Sequence, residues 1–128
     1  METKEHTLKV TIEIPVTEQD MDDIMCTALE GGINHWCDQV EILGECLGKS
    51  ASEHISHGGT LKLYGAEEVN GESKWWLSQE TFLKGLQMWL DDGVKLKMRD
   101  SGLDTSDIDA EDADCIIQYA LFGELVFG

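Results

Sequence analysis

The chain has 128 residues and a mass of 14.3 kDa, the size of one domain. Its 26 acidic and 9 basic residues give a formal net charge of −17, which excludes a general electrostatic surface for the phosphate backbone of nucleic acid. With 41% hydrophobic residues and four Trp it is not a disordered chain, and no apolar run approaches the length of a membrane span.

In chain order, Leu8, Val10, Ile12 and Ile14 alternate with Lys9, Thr11 and Glu13, so residues 8–14 are expected as a half-buried strand ended by Pro15. Thr17 is the expected cap of a helix with Asp20 in its third position. Met21, Ile24, Met25, Ala28 and Leu29 form its apolar stripe, and Gly31-Gly32 are expected to stop it in a left-handed conformation. A second strand is expected over 36–43, then a polar loop with a short helix over 44–59. Residues 60–64 and 74–77 flank Asn70-Gly71, a pair suited to the type I′ turn of a hairpin. Ser78 caps a helix carrying Phe82, Leu83, Leu86, Trp89 and Leu90, closed by Gly93. Residues 94–99 alternate as a short strand, and residues 100–112 are turn-like and acidic. A last helix starts near Asp109 with Ala113, Ile116, Ile117, Ala120 and Leu121 at helical spacing, and Leu125 to Phe127 form an apolar tail expected to dock on the body. The expectation is one α+β domain over residues 1–128. Its sheet is mostly antiparallel, of four or five strands, with three helices packed on it.

Chemistry-bearing motifs are sparse. Cys26, Cys37, Cys46 and Cys115 contain no CxxC and read as reduced thiols. His35, Cys37, Cys46, His54 and His57 fall close together but match no zinc spacing, and buried or surface thiols and imidazoles are the expected outcome. An EF-hand frame started at Asp107 puts Asp112 and Gln118 where Gly and Glu are required. There is no GxSxG, P-loop or GxGxxG. No catalytic residue, metal or cofactor is therefore assigned. A small metal-dependent hydrolase using His54 and His57 is the minority reading.

Charge distribution is the unusual feature. Residues 101–128 hold seven carboxylates and no Lys or Arg, and the first helix adds Glu18, Asp20, Asp22 and Asp23. Carboxylates spaced like phosphates would occupy a basic nucleic-acid channel on a partner. On that reading Glu18, Asp20, Asp22, Asp23, Asp104, Asp107, Asp109, Glu111, Asp112 and Asp114 form the partner-binding face. The competing reading is a pocket for a small nucleotide signal, lined by Asn34, Trp36, His57 and Trp75 or Trp76, with Lys62, Lys74 and the Lys95 to Arg99 patch as the cations able to meet a phosphate. Trp75 and Trp76 cannot both face one side of a strand. An apolar tail and an exposed Trp also point to a homodimer.

Three segments carry a resemblance: CTALEGGINHWC (26–37), ISHGGTLKLYGAEE (55–68) and DADCIIQYALFGELVFG (112–128). Across these the chain, from about residue 25 to its end, resembles a family of small, functionally uncharacterised proteins carried by phages, prophages and other mobile elements. The resemblance supplies no activity and no catalytic set. It implies an accessory protein that counteracts host defence by binding, either as an acidic, nucleic-acid-mimicking inhibitor of a host nuclease or nucleic-acid-binding complex or as a sponge for a nucleotide signal. The start METKEHTLKV lacks the apolar region of a signal peptide, so the host cytoplasm is the expected location.

Overall fold

The computed structural model describes residues 6–8, 13–92, 98–99 and 102–128. Helix α1, Glu18–Thr27, is opened by Thr17, whose hydroxyl accepts from the Asp20 amide at 3.1 Å while Asp20 accepts from the Thr17 amide at 3.0 Å. This capping box satisfies two amides that a helix start leaves without partners. Met21, Ile24 and Met25 are buried along its stripe.

Beyond Thr27 the helix does not stop. It widens into a π-helical turn, Ala28–Gly32, and neither Gly31 nor Gly32 adopts a positive φ. The helical run ends at Gly32 as expected, but the left-handed conformation is corrected: Gly32 serves close approach, since a Cβ there would lie 2.7 Å from the Ala110 carbonyl oxygen.

Strands β1 (Cys37–Leu43), β2 (Thr60–Val69) and β3 (Glu72–Leu77) form an antiparallel sheet in the order β1-β2-β3. A single-turn helix α2, Ala51–His54, lies in the loop between β1 and β2. Asn70 and Gly71 turn the β2-β3 hairpin with φ of 55° and 83°, the double positive φ of a type I′ turn. Next to the turn Val69 pairs with Glu72, a register that would set Tyr64 opposite Leu77; an irregularity between Tyr64 and Val69 instead sets Tyr64 opposite Lys74. That odd shift exchanges faces. Trp75 then points into the core at 7% exposure and Trp76 out of it at 52%.

Helix α3, Gln79–Asp91, is capped by Ser78, and α4, Ala110–Phe122, by Asp109, with Gly123 left-handed at its end. The two helices pack at Gly85, where a Cβ would come within 2.6 Å of Ile116 and Ala120. One hydrophobic core joins α1, the inner face of the sheet, α3 and α4, and it includes the fully buried Trp36, Phe82, Ile116 and Ile117. Removing each such side chain from water contributes about 1.5–3 kcal/mol.

The sheet is smaller than expected. Among the described residues it has three strands, and the remaining two, β4 (Met98–Arg99) and β5 (Gly102–Leu103), pair only with each other. Of the strand expected over 94–99, residues 94–97 lie outside the described residues. So do residues 9–12 of the strand expected over 8–14. At the ends of that segment Leu8 is 87% exposed and residues 13–17 have no regular structure, while Ile14 and Val16 pack against the core. Alternation reports a tendency to extend and does not supply a pairing partner.

Candidate functional site

The two acidic sets become neighbours. Thr105, in the 3-10 turn Thr105–Asp107, donates its hydroxyl to Asp23 at 3.0 Å and so ties that turn to α1. Asp22 accepts from the Ser56 hydroxyl at 2.5 Å, which links α1 to the residues just after α2. Four carboxylates of the set also hold local backbone. Asp20 completes the α1 capping box, Asp104 accepts from the Ser106 amide and hydroxyl, and Asp109 and Asp112 cap α4 reciprocally. Burial and the neighbouring Asp109 and Glu111 raise the Asp112 carboxyl above its ordinary value. Glu18, Asp107, Asp109 and Glu111 are exposed, whereas Asp20, Asp22, Asp23, Asp104 and Asp112 are half-buried.

Asp114 does not belong to this face. It is 7% exposed and accepts from Trp36 Nε1 at 2.6 Å and from Gln118 Nε2 at 3.0 Å, with His35 Nε2 at 3.4 Å. Gln118 extends the network, its Oε1 accepting the Val126 and Phe127 amides at 2.8 and 2.9 Å. The tail thus docks on its own chain: Phe127 stacks on Trp36 with centroids 5.3 Å apart and planes 4° from parallel. Trp75 and Phe122 close the same aromatic cluster edge-on. A carboxylate so enclosed is structural, because its desolvation must be offset by donors that a partner cannot reach.

The residues of the nucleotide-pocket reading do not assemble. Trp36 and Trp75 touch one another inside the core, Asn34 and His57 are exposed, and Trp76 lies on the opposite sheet face from Trp75. His57 Nδ1 donates to the Glu53 carbonyl at 2.7 Å; that bond, with Glu18, Asp22 and Glu53 nearby, raises its pKa. Since a carbonyl only accepts, Nδ1 carries the proton and cannot take one from Ser56, 3.2 Å away and 4% exposed. This trio is the wrong way round for a serine nucleophile and its base. His54 is buried, with Nδ1 accepting from the Leu47 amide at 3.1 Å and Nε2 without a partner. All four cysteines are free thiols, and among the described residues no group of three or more His, Cys, Asp or Glu is placed to hold a metal ion.

What sequence reasoning did not assemble is the open face of the sheet. Lys62 and Tyr64 on β2 lie opposite Trp76 and Lys74 on β3, giving two aromatics and two lysines in a checkerboard. Lys62 Nζ is 5.2 Å from the Tyr64 ring centre and 5.4 Å from that of Trp76, and Lys74 Nζ is 5.8 Å from the Tyr64 ring. Tyr64 donates its hydroxyl to Glu41 at 2.8 Å. A shallow groove of about 240 Å³ runs beside Trp76, lined by Glu72, Ser73 and Lys74. The alternation of TLKLY and KWWL marks both strands, but only the irregular register puts these four side chains on one face. No described helix is long and apolar enough to cross a membrane. Comparisons of the chain with protein-family models, with curated proteins and with solved structures find no match.

Proposed function

We propose that this chain is a non-enzymatic accessory protein of phage type, which acts in the host cytoplasm and counteracts a host defence by presenting carboxylates to a basic, nucleic-acid-binding or nuclease partner. The observation that carries the reading is the Thr105–Asp23 hydrogen bond, which sets the acidic turn and the α4 start beside the acidic α1. Because a net charge of −17 opposes compactness, concentrating carboxylates on neighbouring elements has a cost that solubility alone does not demand. The binding set is Glu18, Asp20, Asp22, Asp23, Asp104, Asp107, Asp109, Glu111 and Asp112. Asp114 is left to the core.

The test uses carboxylates that do not cap a helix. Glu18→Lys, Asp107→Lys and Glu111→Lys are combined, and co-purification with basic host proteins is compared with the wild-type chain at low salt and at 1 M NaCl. At 1 M the Debye length is about 3 Å, so an electrostatic complex should dissociate. The reading expects capture by the wild-type chain at low salt only and none by a variant with unchanged circular dichroism. Equal capture by the folded variant would refute it.

A further inference from the structure

We infer that the open face of the sheet is a second site, independent of the acidic surface, that takes a free nucleotide through Trp76, Tyr64, Lys62 and Lys74. Three observations converge on it. Trp76 is the one tryptophan of four whose indole is open, at 52% exposure against 2%, 7% and 7% for Trp36, Trp75 and Trp89. Lys62 and Lys74, two of the nine cations in a chain of net charge −17, flank the two exposed-face aromatics, beside the Glu41 carboxylate that accepts from Tyr64. The groove of about 240 Å³ beside the indole is lined by Glu72, Ser73 and Lys74.

The chemistry of these groups selects the occupant. An indole face stacks on any base. An ammonium pairs with phosphate as a point charge. The Glu72 carboxylate accepts only, so the groove suits the amino group of a base or the hydroxyls of a ribose. The groove is smaller than the roughly 300–1,000 Å³ of an enclosing drug-sized pocket, which limits it to about one nucleotide.

Charge separates a free nucleotide from a polymer. Two ammonium groups match one phosphate, whereas each further phosphate of a strand would meet a strongly acidic chain with no cation assigned to it. The aromatics and lysines alternate both along each strand and across the pair. A base on Trp76 therefore places its own phosphate within reach of a lysine at the spacing of neighbouring strands, about 4.8 Å.

Titration of the protein's tryptophan fluorescence with AMP, GMP, CMP and UMP in low salt tests this, because quenching by a stacked base reports on Trp76. Saturable quenching is expected at or below about 1 mM for at least one of the four. Trp76→Leu should abolish the quenching and, by calorimetry, weaken binding about tenfold to hundredfold, the loss of one base–aromatic stack. Lys62→Ala with Lys74→Ala should weaken it by about tenfold or more, with the matching nucleoside as weak a ligand for the wild-type chain as the nucleotide is for this variant. All four side chains project from the outer face, so each variant should keep the wild-type melting curve. No quenching by any of the four nucleotides would overturn the proposal. Binding undiminished in the double-lysine variant would overturn it too. An eight-nucleotide single strand that binds more tightly than the mononucleotide would replace the free nucleotide with a polymer. A chain that sediments as a dimer until Trp76 is changed would assign the face to a second copy.

Discussion

Asp114→Ala separates a carboxylate of the core from the carboxylates of the surface. The substitution removes two hydrogen bonds to a charged acceptor, from Trp36 Nε1 at 2.6 Å and Gln118 Nε2 at 3.0 Å. Bonds of this kind contribute about 1.5–3 kcal/mol each, and leaving the indole N–H buried without an acceptor adds its own desolvation cost. Gln118 keeps a partner for its Nε2 in the Phe127 carbonyl at 3.2 Å, which trims the loss. The expected cost is about 3–5 kcal/mol, a large share of the roughly 5–15 kcal/mol that holds a domain together. Urea unfolding followed by circular dichroism measures it, and an unchanged slope against urea would show that the same surface is exposed on unfolding. Glu111→Ala, on the exposed side of the same helix, should stay within about 0.5 kcal/mol of wild type. If Asp114→Ala costs less than about 1 kcal/mol, Asp114 is not the hub of the Trp36–Gln118 network and the assignment of that residue to the core fails.

Other outcomes follow from the same geometry. A Cβ at Gly59 would lie 2.2 Å from Nε2 of the buried His54 ring, so Gly59→Ala should lower stability by about 1–3 kcal/mol, and a double-mutant cycle with His54→Ala should remove most of that cost. Tyr119 donates its hydroxyl to Asp92, which pushes the phenol up to about 12, so absorbance titration should show one of the two tyrosines ionising there, and Asp92→Asn should bring it down. His57 should titrate above its ordinary 6.5 by NMR, chiefly because it donates to the Glu53 carbonyl. Its folded pKa is raised, so its contribution to stability is fully present below 6.5 and fades as pH rises through the folded value. His57→Gln should flatten stability against pH in that window; an unchanged profile would contradict the assignment.

Much of the architecture is legible in the sequence wherever a local rule decides. Thr17 and Ser78 cap the helices they were expected to cap, the last helix starts at Asp109 where one was expected, and Asn70-Gly71 makes the hairpin turn. What local rules do not reach is register and burial. Which of Trp75 and Trp76 faces the core depends on an irregularity between Tyr64 and Val69, where a Cβ on Gly65 would lie 2.4 Å from the Trp75 ring. The open-face checkerboard depends on the same shift. Asp114 reads as one more acid in an acidic run, because its partners Trp36 and Gln118 come from the far end of the chain and from the next helical turn. Gly31-Gly32 reads as a left-handed stop, whereas the helix ends there on the close approach of Ala110, a tertiary contact. The proximity of the two acidic sets likewise rests on a bond between residues 82 positions apart.

The most direct test of the functional claim is amide hydrogen exchange of the chain alone and in complex with the basic partner recovered at low salt. The acidic-face account predicts added protection over residues 18–27 and 105–112, reversed by 1 M NaCl, with the β2-β3 hairpin unchanged. Protection confined to residues 60–77, or protection that survives the salt, would contradict it.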